Sequence, residues 1–369
     1  MRNFRNVPVT KKKKSRKSRA KLTSSPVSLR ALADSLCLSP ATVSFVMNRS
    51  AVADTIPQET QERIFAAARK LHYRPNFFAR SLRTQRSLTV GVMVPEVSEG
   101  YAAMVMSGIE DHLLQEGYFY FVASHRHRPD LIDEYPKLLL ARSVDGLIAV
   151  DTPLRVNMPI PVVTISGHNG VRGVSNILLN HQRAAELALQ HLLSLGHSQV
   201  AFIKGQEFSS DTEARWSAIK EAAQGLGLKV RGGLTMQLEG DNATPELGYQ
   251  VTRRLLAGGR PFTALFAFND ISALGAIQAL REHGLRVPQD VSVIGFDDIL
   301  SAAFSSPRLT TVRQPLRKMG VIAAETLLQR ITQPGKDAYV REIMVEPELI
   351  VRDSTGPVAT VRRKPGQRG

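Results

Sequence analysis

Cysteine is almost missing from this 369-residue chain, with Cys37 standing alone. One thiol excludes an internal disulfide framework and fits a reducing compartment such as the cytosol. Long apolar runs are missing too. No window reaches the roughly 18 consecutive apolar residues of a membrane span, and no apolar stretch follows the basic N-terminus as it would in a secretory signal. Neither a membrane anchor nor export is expected. The signatures of common nucleotide and metal enzymes are also absent: there is no GxxxxGK, no GxGxxG between a strand and a helix, and no HExxH, and Cys37 has no assignable base. Catalysis thus loses its usual supports, and no cofactor or metal is expected.

Negative charge is missing from one end. Residues 1–27 hold ten Lys or Arg and no acid, and residues 28–87 hold nine against four. Residues 88–351 hold 24 against 28 and residues 352–369 five against one, so the net charge of +15 sits at the ends and the long middle is slightly acidic. A basic end of this kind strengthens binding to a polyanion by counterion release, without sequence preference. The run KKKKSRKSRAK from Lys11 is too polar to fold alone, so residues 1–26 read as a disordered basic arm, and 352–369 as a disordered basic tail. The length exceeds one compact core and predicts two or three domains.

Residues 27–48, VSLRALADSLCLSPATVSFVMN, carry the pattern of two short helices crossing at a tight turn. Leu29, Leu32, Ala33 and Leu36 recur at helical spacing, Cys37 and Leu38 form the turn, and Ser39-Pro40 opens the second helix with a capping hydroxyl and a proline at its first position. Val43, Val46 and Met47 then face inward. Ser39, Pro40, Ala41, Thr42, Ser44, Phe45 and Asn48 remain on the outer side, where a helix-turn-helix presents its base-reading and phosphate-touching side chains.

From Leu88 short β-branched or aromatic runs alternate with amphipathic stretches. The runs span 88–94, 118–123, 146–150, 161–165, 200–203, 264–268 and 291–296; the helical stretches span 103–115, 181–195, 214–226, 246–256 and 271–282. Such alternation predicts an α/β core of two doubly wound, Rossmann-like subdomains, with ligands beyond the carboxyl ends of the strands. That rule nominates Ser98 to Tyr101, Ser124, His125, Asp151, Ser166, Lys204, Asn269, Asp270, Asp297 and Asp298.

Longer strings carry a resemblance. LHYRPN from Leu71, FAFNDISALGA from Phe266, VPQDVSVIGFDDI from Val287 and PRLTTVRQP from Pro307, in this order behind the helix-turn-helix, resemble the LacI/GalR family of bacterial repressors over residues 26–351. The resemblance implies a helix-turn-helix head at 27–74, a hinge helix within 75–86 running from Phe77 to Leu82, and a periplasmic-binding-protein-like core at 87–351, split near 162–176 with a return near 300–315. It implies a homodimer on near-palindromic double-stranded operator DNA, with Asn76, Arg80 and Leu82 of the hinge joining the DNA contacts and Leu82 wedging a central base step. It implies a small-molecule effector, a sugar or related metabolite, touched by Arg215, Asn269 and Asp297, with Tyr101 and Ser166 beside them. Because heads of this family start close to the chain's beginning, two readings of the arm stand: native phosphate contacts, or initiation nearer Val27.

The chain also departs from the family. Ser98-Glu99-Gly100-Tyr101-Ala102 replaces a run richer in aromatics, and Ser166 stands where an Asp or Gly is frequent. Phe45 occupies a position where many relatives place Arg, so it offers only apolar contact, best to a thymine methyl, unless it packs on the head's own core. Structural roles compete elsewhere: Asn269 as a helix cap, Asp297 as a loop ligand, Arg215 as a surface ion pair. His125 and His127 lack a third metal ligand, and Asp297 and Asp298, adjacent on an extended segment, point opposite ways. A periplasmic-type binding protein or a catalytic α/β domain without DNA regulation is the remaining alternative.

Overall fold

The computed structural model describes residues 27–48, 50–73, 86–97, 100–154, 157–167, 171, 173–240, 244–333 and 340–358. The expected arm, the hinge with Asn76, Arg80 and Leu82, the pair Ser98 and Glu99, and residues 359–369 lie outside the described residues. The chain forms two compact units, Met1–Gln85 and Arg86–Gly369.

In the first unit, α1 (Leu29–Ser35) and α2 (Pro40–Met47) meet at 109°. Serines start both helices: Ser28 Oγ accepts from Ala31 N at 3.1 Å and Ser39 Oγ from Thr42 N at 3.0 Å, while Pro40 occupies a position whose N–H has no helical partner. Cys37, at φ +54°, turns the chain between them. After a 3-10 turn at Ala51–Thr55 comes α3 (Gln58–Lys70), and Leu32, Ala33, Val43, Val46, Ala53, Ile64 and Ala68 close a small apolar core.

The second unit opens with β1 (Thr89–Val94), α4 (Tyr101–Gln115), β2 (Phe119–Ser124), α5 (Pro129–Leu140), β3 (Gly146–Val150), β4 (Val162–Ile165) and β5 (Val174–Leu179). There follow α6 (His181–Ser194), β6 (Val200–Lys204), α7 (Asp211–Gly225), β7 (Thr235–Gln237), α8 (Pro245–Ala257), β8 (Ala264–Phe266), α9 (Asp270–Glu282), β9 (Ser292–Asp297), α10 (Leu300–Phe304) and β10 (Thr310–Arg313). The last elements are α11 (Leu316–Thr332), β11 (Glu342–Val345) and β12 (Glu348–Ile350). Two six-stranded sheets result, ordered β11-β5-β4-β3-β1-β2 and β12-β10-β9-β8-β6-β7; all pairings are parallel except β10 with β12. Every residue of β1, β3, β4 and β9 is buried, as strands covered by helices on both faces must be.

The chain passes between the sheets three times: at Asn180 after β5, at Gln314-Pro315 after β10, and at Glu346-Pro347 after β11. The first passage corrects the expected split near 162–176, because β4 and β5 both belong to the first sheet. Ser175 and Asn176 break the apolar run of β5, and this hides the strand in the sequence. A second correction concerns 352–369. Residues 352–358 are part of the core: Ser354 is buried, its carbonyl accepts from Val293 N of β9 and its hydroxyl donates to Val293 O, and Gly356 and Val358 bond to Ser292 and Leu195.

Glycines set the spacing beneath the second sheet. A Cβ at Gly275 on α9 would lie 1.8 Å from Pro245 O, and one at Gly248 on α8 would lie 2.1 Å from Ser272 O. Only glycine lets α8 and α9 approach so closely, and α9 carries Asn269 at its cap.

Candidate functional site

A cavity of about 720 Å³, mouth included, opens where the carboxyl ends of both sheets face each other. The first sheet contributes Pro95, Glu96, His127 and Asp151 from strand ends and Tyr101 from the start of α4; the second contributes Gln206, Phe208, Asp211, Arg215, Phe268, Asn269 and Asp297. Four of the five expected effector residues, Tyr101, Arg215, Asn269 and Asp297, therefore share one wall-lined space. Ser166 does not line it: it is buried, its hydroxyl lies 3.0 Å from the Tyr101 hydroxyl, and its carbonyl accepts from Ser210 Oγ.

Arg215 is held from all sides. The guanidinium carbon lies 3.7 Å from the Phe296 ring centroid and 4.4 Å from that of Phe268; Nη1 donates to Phe268 O at 2.5 Å and Nη2 to Asp211 at 3.1 Å. It is thus an ion pair, but a buried one rather than a surface one, at 4% exposure. Its Nε is buried without a protein partner. Asn269 fills both roles weighed for it: its side-chain oxygen caps α9 by accepting from Ser272 N at 2.9 Å, and the residue lines the cavity.

Asp297 and Asp298 point opposite ways as expected, but at positive φ (+109° and +60°) rather than on an extended segment. Asp297 turns inward and accepts from Gln314 Nε2 at 2.6 Å, whereas Asp298 pairs with Arg313 at 2.7 Å and Arg352 at 2.6 Å. Burial pushes the Asp297 carboxyl up to about 7, against the opposing pull of Arg215 and Gln314. Burial likewise raises Asp151 to about 6, helped by the nearby Asp211 and opposed by its serine partners. Tyr101 is raised well above the usual phenol range, again by burial first and by Asp211 next.

Beside the Ser210–Ser166 bond, further contacts join the sheets across the cavity. Asp151 accepts from Ser210 N at 2.9 Å, Ser210 Oγ at 2.6 Å and Ser209 Oγ at 3.3 Å, so a carboxylate from one subdomain meets the start of α7 in the other. The His127 ring lies 3.8 Å from the Phe208 ring, centroid to centroid. Asp151 (φ +40°), Ser166 (+58°) and Asp297 (+109°) all adopt left-handed or strained backbone, a concentration found where a site over-determines its residues.

The remaining nominees serve structure. His125 is buried against Thr152 at 2.9 Å, with burial lowering its pKa to about 4; Lys204 bonds Gln237; Asp270 is buried and accepts from Thr311 and Ile299 N. The residues that sequence reasoning missed are Asp211, Gln206, Phe208 and Phe268. Asp211 had a signal: it stands four residues before Arg215, one helical turn, where an acid meets a base.

On the head, Ser39, Pro40 and Ala41 are exposed, and Thr42, Ser44, Phe45 and Asn48 are half-buried. Ser39 and Thr42 hydroxyls are 2.8 Å apart, and Asn48 Nδ2 donates to Ser44 O and Oγ. Phe45 is not among the hydrophobics packed on the head's core.

Residues 32–76 match the model of bacterial regulatory proteins of the lacI family, and residues 189–355 that of a periplasmic binding protein-like domain. The HTH-type transcriptional repressor PurR of Haemophilus influenzae is 33% identical over 328 residues, covering 86% of this chain and 95% of the relative. The chain belongs to the LacI family. Among solved structures, the Lac repressor dimer bound to operator and the anti-inducer ONPF matches this LacI-family chain with a TM-score of 0.78 and 27% identity, over 90% of this chain and 100% of that one. The transcriptional regulator CelR in complex with cellobiose matches at 0.65 and 29%, over 89% and 99%. This member is a DNA-binding transcriptional repressor under small-molecule control, not an enzyme. Among the described residues no single helix is long and apolar enough to cross a membrane.

Proposed function

We propose that the protein represses by placing two heads on the half-sites of a near-palindromic operator, and that a sugar or related metabolite bound in the cleft between the sheets changes that affinity. The observation that carries this reading is the convergence of Tyr101, Arg215, Asn269 and Asp297 on one cavity at strand ends of two subdomains. A guanidinium edge, an amide and a carboxylate suit hydroxyls and ring edges, and the rings of Phe208 and Phe268 offer apolar faces. On the head, Ser39, Pro40, Ala41, Thr42, Ser44, Phe45 and Asn48 read and grip DNA, joined by Asn76, Arg80 and Leu82. The setting is the bacterial cytoplasm.

A homodimer is supported by apolar surface that a lone subunit has no use for. Edge strand β2 leaves Phe119 61% and Val122 41% exposed, and α10 leaves Leu300 76% and Phe304 81% exposed. The Lac repressor that this chain resembles was seen as a dimer on its operator.

The test is Asp297→Ala. Gel retardation is expected to show operator binding that no longer responds to the effector, because coupling of about 1–3 kcal/mol acts through the core and not through the heads. A variant that still responds normally removes the cleft from the reading.

A further inference from the structure

The chain enters the second unit under tighter control than the start of a strand requires. β1 begins at Thr89, yet the three residues before it are already fixed. Arg86 Nη2 donates to Ile331 O at 2.9 Å, in the last turn of α11, where carbonyls have no partner within the helix and a cation is favoured. Both carboxylate oxygens of Asp145, between α5 and β3, are taken by the next two residues. Oδ1 accepts from Ser87 N at 2.8 Å and from Ser87 Oγ at 2.9 Å, and Oδ2 accepts from Leu88 N at 2.8 Å. Leu88 is held at φ +49°, a left-handed backbone that a residue other than glycine keeps only where its surroundings impose it. Its carbonyl accepts from Phe119 N of β2, and Asp145 N donates to Thr89 O, both at 2.8 Å. All these partners belong to the first sheet and the elements packed on it.

The consequence lies upstream. Leu82 is the last hinge residue proposed to touch DNA, and four Cα steps separate it from Arg86, at most about 14 Å when fully extended. One base pair added between two half-sites moves one of them by about 3.4 Å and turns it by about 35°. A tether so short passes much of that change on to its origin, and an origin that cannot shift turns it into lost affinity. We infer that Asp145 is a positioning residue which, with Arg86, fixes the origin of the linker on the first subdomain and so sets the half-site spacing that the repressor accepts. The inference rests on the paired-head reading of the function.

The experiment is gel retardation of the full chain on three duplexes built from the half-site that wild type selects from a random library: one with the selected spacing, and two with one central base pair added or removed. Wild type is expected to prefer the selected spacing at least tenfold. Asp145→Ala is expected to narrow that preference by threefold or more, and Arg86→Met to narrow it in the same direction. The ratio is the readout, because a variant that is merely less stable loses the same factor on all three duplexes. Circular dichroism confirms folding; if Asp145→Ala does not fold, Asp145→Asn, which keeps the size and one oxygen acceptor, is held to the same threefold narrowing. A folded Asp145 variant whose preference narrows by less overturns the inference and leaves the paired heads standing. Equal binding of wild type to all three duplexes overturns both.

Discussion

The head and the cleft reach specificity by opposite routes. The outer face of α2 is assembled from residues 39–48, and its polar side chains bond to partners three or four positions away: Ser39 to Thr42, Asn48 to Ser44. It is exposed or half-exposed and carries no charged group among those seven residues. The cleft gathers residues from Pro95 to Asp297, brings them together only through sheet topology, and sets two buried carboxylates, Asp211 and Asp297, beside one buried guanidinium. A surface of the first kind is altered one side chain at a time with small energetic effect. A surface of the second kind is a network in which removing one member strands another.

Arg215→Ala should break the comparison most severely. It leaves Asp211, 4% exposed, without its guanidinium and empties the space between two rings, so equilibrium urea unfolding of the second unit should lose roughly 3–5 kcal/mol. A loss below 1 kcal/mol would mean that the cleft tolerates change as the head does. Phe45→Arg tests the head's independence: operators selected from a random library should shift towards G·C at the facing position, by about 1–3 kcal/mol of discrimination. Identical preferred sites from both proteins would take Phe45 off the reading surface.

Asp297→Asn sharpens the contrast through pH. In the unfolded chain an aspartate titrates near 4, whereas burial holds Asp297 at about 7, so the folded protein retains a proton that the unfolded chain has released. Its contribution to stability is full below about pH 4 and lost as pH rises to 7. The ligand-free Asn variant should therefore melt higher than wild type at pH 8, by a margin that fades towards pH 4; an equal margin at both pH values would show that Asp297 is not the group responsible. Ser39→Ala, the smallest change, should cost about 1 kcal/mol by stripping the cap from α2, with effector binding by the core untouched. Measured by melting of the head and titration of the core, a change in effector affinity would show that the two units are less independent than their construction implies.

This asymmetry also governs what could be read from sequence. The capping Ser39, the proline at the start of α2 and the buried Leu32, Val43 and Val46 are all signals within one short stretch of chain, and the structure places them as the spacing predicts. In the core, strands with unbroken apolar runs were legible, and so was the rule that sent Asp151, Asn269 and Asp297 to the site. Phe208 and Phe268 carry no local mark that separates them from core aromatics, and Ser166, although at a strand end, turns its hydroxyl to Tyr101. Three-residue strands such as β7 and β12 are too short to show a period. α11, with Leu316, Met319, Ala323, Leu327 and Ile331 on one face, was not among the helices read from the sequence, and its packing against α4 reveals that it returns the chain to the first subdomain.

The three passages between the sheets behave differently from a single tether. Asn180 N donates to Val345 O at 2.9 Å and its amide reaches Glu346, so the first and third passages are stitched together, while Gln314, at the second, holds Asp297. Three parallel strands of chain act as a door hung on several pins: twisting and sliding are resisted, and swinging remains. Because Gln314 at one of those pins holds Asp297, a ligand in the proposed cleft would press close to the pivot, where a small displacement becomes a larger arc at the far rim. Leverage of this sort lets a molecule of a dozen atoms move a surface many times its own size.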